Sequence, residues 1–460
     1  MDDREPTYDE LKQRVAELEA QVSSLTKQVE QLLKLLDEKN RSGKRQAAPF
    51  SKGPPKPKPK KPGRKSGDDY GTHQRRDVPK QIDETIHVPL PKTCPHCEGE
   101  SITETSVQQQ YQVEIPRTVI HRQFHIHIGH CDGCGKRIQP RHELQTSDAL
   151  GAAASQLGPN LQAAIAILNK ELGLPHGKIE RLLSVLFELN IARSTSVRSM
   201  LRTAKKTASA FEEIQAEVRQ STVIKVDETG WKHAGYLKWL HVMVSKNAVL
   251  YQIGGRGREV LESLIGRHFR GTLIHDGYAS YDGFWLADHQ QCVAHLLKRC
   301  RELLEAATRG AVRFPRAVKA LLQRGLSIRD RFQIGELTLP GIRALGTKLT
   351  NQLSASVAPV KSHAGNERFA KFLEKHLHEV FCFLQHPATV SATNNESEFE
   401  LRFNVIARKL SGGSRSEAGL TAQQILPSII RTCRKLNRDP FDYLENTLRS
   451  PNHTTLFNTR

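Results

Sequence analysis

The sequence predicts a multidomain α/β protein, and three observations carry that prediction. Short apolar runs each lead to an acid: the β-branched Thr222, Val223, Ile224 and Val226 to Asp227, and Leu273 and Ile274 to Asp276. Residues 237–245 and 248–253, joined by Lys246-Asn247, read as a hairpin, after which strand patterns alternate with helical ones. A chain of 460 residues also exceeds what one core accommodates.

Taken in order, residues 7–39 carry a heptad. Val15, Val22, Val29 and Leu36 fall on one seam position, and Leu11, Leu18, Leu25 and Leu32 on the other. β-Branched residues at one seam with Leu at the other favour a parallel two-stranded coiled coil, hence a homo-oligomer. An amphipathic helix docked on its own chain is the alternative. Residues 40–82 form a basic, proline-rich linker in which alternating prolines exclude helix and ladder hydrogen bonds. Its Lys56, Lys58, Lys60, Lys61, Arg64 and Lys65 suit a phosphate backbone, whereas the prolines alone fit a plain spacer.

Residues 83–145 hold two CxxC pairs, Cys94 with Cys97 and Cys131 with Cys134. Each pair aims two thiolates at one ion, and four close a tetrahedral structural Zn²⁺ site, giving a zinc ribbon-like module. Residues 109–115 and 122–128 look strand-like, so a hairpin is expected between the knuckles, with His125 and His127 on its solvated face. Residues 150–220 read as helices, with Ile179, Leu182, Leu183, Leu186 and Leu189 at helical spacing. Ser194 is the expected N-cap of the next helix, whose Arg198 and Arg202 make a helix-turn-helix DNA contact one reading and a plain bundle the other.

The chain carries 68 basic and 49 acidic residues, a net charge of +19. Ten of the basic residues lie between Arg41 and Lys65 with no acid among them, leaving 19 − 10 = +9 for the rest. An excess both clustered and spread suits a polyanion such as nucleic acid, and a solvated surface explains it equally well. No apolar run reaches eighteen residues and the first residues lack a signal pattern, so the expectation is a cytoplasmic protein with no membrane partner. The remaining thiols, Cys292, Cys300, Cys382 and Cys433, are expected to be buried and reduced.

Residues 221–425 form the expected central domain, interrupted by a helical insertion at about 296–388 and followed by a C-terminal helix and tail at 426–460. Here two apolar strands each deliver one carboxylate to a sheet rim, and Glu398 in TNNESEFELR offers a third. Two Asp and one Glu are a donor set for a pair of Mg²⁺ ions, the chemistry of phosphoryl transfer. Structural ion pairs are the alternative role. Glu228 should face away from Asp227. Residues 393–396 have the form of a capping box that occupies Glu396, and helix geometry aligns Asn394, Glu398 and Arg402. Phe399, Phe403 and Ile406 are expected to anchor that helix, with Glu400 on the surface.

The strings VDETGW, HDGYASY, CVAHLLKR, TNNESEFELR and RKLSGGSRSEAG, in this order, resemble the transposases of the insertion sequence 66 type. The heptad, the basic linker, the paired CxxC and the terminal DPFDYLENTLR match that family's layout too. The resemblance implies an RNase H-like mixed sheet of the DDE class with Asp227, Asp276 and Glu398 as catalytic triad, using two Mg²⁺ or Mn²⁺ ions. It implies cleavage of transposon ends, joining of 3′-OH ends to target DNA, and accessory transposition proteins as further partners. Arg402, Arg408, Lys409 and Arg415 are then expected to contact DNA phosphates. Family members commonly carry Arg after the third acid, where this chain has Phe399, and Asp where it has Thr393. Rival readings are a zinc-containing DNA-binding relic without catalysis and an RNase H-fold nuclease.

Overall fold

The structure is a computed structural model that describes residues 8–44, 78–113, 115–145, 147–151, 156–307, 310–450, 452 and 454–457. It divides into two units, Met1–Glu114 and Ile115–Arg460. In the first, α1 (Tyr8–Lys44) is a continuous helix of 37 residues. Its seam residues Val15, Leu18, Val22, Leu25, Val29 and Leu32 are all exposed. The linker residues Lys56, Lys58, Lys60, Lys61, Arg64 and Lys65 lie outside the described residues.

The second unit opens with a two-residue ladder, β1 (Gly129–His130) against β2 (Arg137–Ile138). The hairpin expected over 109–128 is absent among the described residues. Alternation alone does not make a strand without a ladder partner: Val113, Ile115 and Ile120 are exposed rather than packed on a face. Four helices follow: α2 (Pro159–Lys170), α3 (His176–Phe187), α4 (Arg193–Lys206) and α5 (Ala208–Gln220). Ile165, Ile179 and Leu183 form a small core of their own, while Leu186 is exposed. Helix α4 starts one residue before Ser194, at an Ala192 cap with no side-chain bond, so Ser194 is not the N-cap. Met200, Thr203 and Ala204 bury the inner face of α4, and Arg198 and Arg202 stand on the exposed one.

The central sheet has β3 (Val223–His233), β4 (Tyr236–Val244), β5 (Val249–Gly254), β6 (Thr272–His275) and β7 (Asp288–Gln291), with α6 (Arg258–Ile265) between β5 and β6. Strand order is β5-β4-β3-β6-β7; the first three are antiparallel, and β6 and β7 run parallel to β3. Side chains alternate between two covered faces. Ile224, Val226, Met243, Leu250 and Leu273 pack on Phe211, Ile214 and Val218 of α5 and Leu261 and Leu264 of α6. Val242, Val244, Val249 and Tyr251 line the other face, which Leu401 covers.

After β7 come α7 (Val293–Glu305), α8 (Arg313–Gln333), α9 (Leu339–Val357), α10 (Ala364–Lys375) and α11 (Cys382–Gln385), a helical insertion sharing one core with Ile274 of β6. The chain closes with α12 (Asn395–Ser411), α13 (Glu417–Lys435) and α14 (Pro440–Arg449). Helix α13 seals the β5 edge. Gln424, Ser428 and Thr432 accept the backbone N–H groups of Ile253, Tyr251 and Val249, at 2.7, 2.9 and 3.0 Å. The match is geometric, because four helical residues rise about 6 Å and two strand residues about 6.8 Å. An edge that would otherwise invite another strand is thereby closed. The boundary expected at residue 426 falls inside this continuous helix and is corrected: α13 belongs to the sheet domain.

Candidate active site

The β3–β4 ladder runs to His233, whereas β6 pairs with β3 only from Val223 to Lys225. Asp227 is therefore in mid-strand, not at a strand end as the sequence suggested, but at the point where its parallel neighbour stops. Lys225 is level with Ile274. Asp227 and Asp276 each lie two residues further on, Asp276 one residue past the end of β6.

The turn after β6 holds Asp276 in place. Gly277 adopts φ +88, and a Cβ there would meet Gln291 Oε1 at 2.7 Å and Phe372 at 2.8 Å, so only glycine fits. The Gly277 N–H donates to His275 Nδ1 at 3.1 Å, which leaves the proton on Nε2. Nε2 donates to His289 Nδ1 at 2.9 Å, and His289 Nε2 donates to the Phe284 carbonyl at 3.1 Å. Burial pushes His275 down to about 3, so it stays neutral. Asp276 Oδ1 accepts the Tyr278 N–H at 3.1 Å.

Glu398 comes from α12, and Asn394 sets its position. This buried side chain donates Nδ2–H to the Val226 carbonyl at 2.7 Å, one residue before Asp227. Its backbone N–H donates to Cys292 Sγ at 3.2 Å, and its carbonyl accepts the Glu398 N–H at 3.2 Å. The first turn of α12 is thus tied to the strand bearing Asp227 and to the start of α7.

Charge reports the convergence. Burial, and then the fields of Asp276, Glu228 and Glu398, lift Asp227 to about 7, opposed by the Glu228 N–H on its Oδ1 at 2.8 Å. His295 of α7 places Nδ1 3.6 Å from Glu398 Oε1. Its Cys292 neighbour, and then Glu398 and Asp276, raise it to about 9. Three carboxylates, one driven toward its protonated form, are a donor set that a hard divalent cation relieves.

The neighbouring acids have other partners. Glu228 points to the opposite face, where Tyr281 Oη donates to it at 2.8 Å and Arg256 lies at 3.1 Å. Glu396 is not in a capping box: its carboxylate pairs with Lys225 at 2.6 Å and with Lys435. Glu400 is not a surface residue: it is buried, bridged by Arg431 at 2.6 and 2.8 Å, and accepts from Tyr251 Oη at 3.0 Å. The buried face of α12 is Ser397, Glu400, Leu401 and Asn404, while Phe399 and Ile406 are exposed and do not anchor it. A single polar residue at i+3 shifts a helix's inward stripe, and hydrophobicity alone misplaces it.

Among the basic residues, Arg402, Lys409 and Arg415 are exposed. Arg408 turns inward and donates to the Gly230 carbonyl and, at 3.2 Å, to Thr229 Oγ1, so it braces β3 instead of facing outward. Gly413, at φ +107, lets the turn after α12 lie against the Lys232 carbonyl, where a Cβ would collide. The two cysteine pairs lie in different units and form the same local turn. Glu98 N–H donates to the Cys94 carbonyl at 2.8 Å, and Gly135 N–H to that of Cys131 at 2.7 Å. Backbone N–H groups of His96 and Cys97 hold the Cys94 thiol below its ordinary range, and those of Cys134 and Gly133 do so for Cys131.

Asn394 and His295 are the residues that sequence reasoning underrated. Asn394 lies in the segment that reads as a capping box, and His295 lies in CVAHLLKR, one of the motif strings.

A mixed α/β domain in which Asp227 lies within the fields of Asp276 and Glu398 defines a class of protein with an acidic centre. The family model of the Transposase IS66 family matches residues 154–422, more than half of the sequence, and the chain belongs to that family. No curated protein matches it. Membership gives the general role, that of a transposase, an enzyme that processes nucleic acid and binds DNA. No helix among the described residues is long and apolar enough to cross a membrane.

Proposed function

We propose that this chain is an RNase H-like DDE transposase that cleaves transposon ends and joins the freed 3′-OH ends to target DNA. Asp227, Asp276 and Glu398 are its catalytic acids. One observation carries the reading: β3 and β6 pair in parallel up to Lys225 and Ile274, each two residues before an acid, and Asn394 ties the helix of Glu398 to the residue before Asp227. The mixed strand order, three antiparallel and two parallel, supports the RNase H-like assignment.

Asp227, Asp276 and Glu398 would hold two Mg²⁺ (or Mn²⁺) ions, which when bound would supply charge stabilisation for a displacement at phosphorus. The chain's own part is preorganisation. Backbone N–H groups of Glu228 and Tyr278 orient the two aspartates, and the insertion and α12 cover the sheet face beside them. Arg198, Arg202, Arg402, Lys409 and Arg415, with the linker residues Lys56 to Lys65, are the proposed phosphate contacts. The exposed apolar seam of α1 is the proposed homo-oligomer contact, since two transposon ends require two acidic centres. Each cysteine pair supplies two thiolates, and a tetrahedral structural site needs four, so the expected content is about one Zn²⁺ per chain. Metal analysis of the purified chain checks it, and a value near zero removes the zinc module.

The decisive test is an end-cleavage and joining assay with Mg²⁺ or Mn²⁺. The expected result is joined product from the parent chain and none from Asp227→Ala, with DNA binding kept. Hydrolysis without joining identifies a nuclease, and binding with no cleavage by the parent identifies a relic.

A further inference from the structure

Cys292, His295 and Glu398 make up a second donor set, distinct in chemistry from the three acids. Cys292 Sγ, a ring nitrogen of His295 and a carboxylate oxygen of Glu398 all lie within 4.8 Å of one another. Cys292 stands at the N-cap of α7 and His295 one turn on, so a single helix turn presents sulfur and nitrogen together. The Asn394 N–H at 3.2 Å fixes the direction of the sulfur. His295 Nδ1 is a buried atom with no hydrogen-bond partner, an unusual state for a ring nitrogen among polar groups. Its 3.6 Å separation from Glu398 Oε1 is close to the edge of about 3.4 Å expected between N and O ligands on a tetrahedral zinc. Sulfur and imidazole are soft and borderline donors that disfavour Mg²⁺ and select zinc-like ions.

We infer that Cys292, His295 and Glu398 form a binding site for a thiophilic divalent cation, Zn²⁺ being the type case, which withdraws Glu398 from the Mg²⁺ pair and so inhibits strand cleavage. The inhibitory part rests on the proposed catalytic role of Glu398; the metal site itself does not. Three protein ligands leave one tetrahedral position open. Zinc bound here competes with magnesium for one carboxylate rather than for the whole acidic centre.

The direct probe is Co²⁺ added to the full-length chain, read by thiolate-to-cobalt absorption. The CxxC cysteines are present in every variant, so the difference between wild type and Cys292→Ser isolates the Cys292 ligand. Loss of a ligand should weaken cobalt binding at this site by at least the roughly 10–100-fold that losing an outer-shell partner costs. Cys292 is fully buried, so each variant is first checked by its thermal melt. His295→Asn, at a half-exposed position, gives the same test should Cys292→Ser not fold. Identical cobalt spectra in wild type and a folded variant overturn the site. In the second arm, Zn²⁺ is titrated into the Mg²⁺-driven cleavage reaction, each variant being normalised to its own rate in Mg²⁺ alone. The expected result is half-inhibition at a higher Zn²⁺ concentration in both variants, by the same roughly 10–100-fold. Equal zinc sensitivity overturns the inhibitory role even where the cobalt signal depends on Cys292. A wild type inactive in Mg²⁺ overturns the proposed catalysis, and the cobalt arm then decides the metal site by itself.

Discussion

The strand-borne and helix-borne parts of the acidic centre are positioned by different physics. Asp227 and Asp276 each follow, by two residues, the last pair of a parallel ladder, and every bond in that ladder repeats the instruction. Glu398 arrives 171 residues after Asp227 on a helix that side chains tie to β3: Asn394 to the Val226 carbonyl, Glu396 to Lys225 and Arg408 to the Gly230 carbonyl. The first arrangement rests on backbone bonds and the second on side chains, of which Asn394 is the strap that reaches the residue before Asp227. Two residues along the same helix, Glu400 shows what a carboxylate becomes when a cation reaches it: Arg431 and Tyr251 hold it as part of the core.

Removing a strand-borne acid should have the largest effect. Asp227→Ala is expected to lower cleavage by at least about 1000-fold, since losing even one transition-state donor costs up to that. A radiolabelled end-cleavage time course measures it, and residual activity above a hundredth of wild type would move the catalytic role elsewhere.

The comparison sharpens at the strap. Asn394→Ala keeps all three acids but removes the tie from the helix of Glu398 to Val226, and a misplacement of about 1 Å costs on the order of 100-fold in rate. It also leaves the Val226 carbonyl unpaired, at about 1–3 kcal/mol of stability in urea unfolding. A variant destabilised to that extent yet fully active would show that Glu398 does not need the strap.

Glu400→Ala should separate folding from chemistry. Breaking a buried, bridged pair costs about 3–5 kcal/mol, so the urea midpoint should fall, while cleavage per folded molecule falls less than in Asn394→Ala. The reverse pattern would place Glu400 in the reaction.

The smallest effect is a pH dependence. Asp227 rises from an ordinary 3.8 to about 7 in the fold. The folded chain therefore holds a proton there that the unfolded chain releases, and the associated stability is present below about pH 4 and lost as pH rises through about 7. In chelator, the melting temperature of wild type should decline across that window. Asp227→Asn, which carries no charge, should flatten the decline and gain about 2–4 °C at pH 8. Parallel slopes in calorimetry would remove Asp227 as the source.

Much of this was legible in the one-dimensional pattern. The apolar runs before Asp227 and Asp276, the hairpin expected over 237–245 and 248–253 and the helices expected at about 296–388 all appear as elements, since each follows from local periodicity. The failures have a common origin. The strand pattern at 109–128 has no partner to pair with, so no ladder forms. Glu396 and Ser194 carry local capping signals, but Glu396 meets Lys225 and Lys435 instead, and α4 begins at Arg193 without a side-chain cap. Hydrophobicity assigned Phe399 inward and Glu400 outward, whereas Arg431 made burial of the carboxylate the stable choice.

By itself, the order of residues determined the strands and helices and the resemblance that named the acids. Those depend on backbone periodicity and on motif strings, which are local. Tertiary structure alone decided that Asn394 holds α12 to β3, that His295 faces Glu398 with an unpaired nitrogen, and that Arg408 braces a strand instead of facing outward. Each of these joins residues about a hundred or more positions apart, where the partner is chosen by packing and by the cost of leaving a buried polar group unpaired.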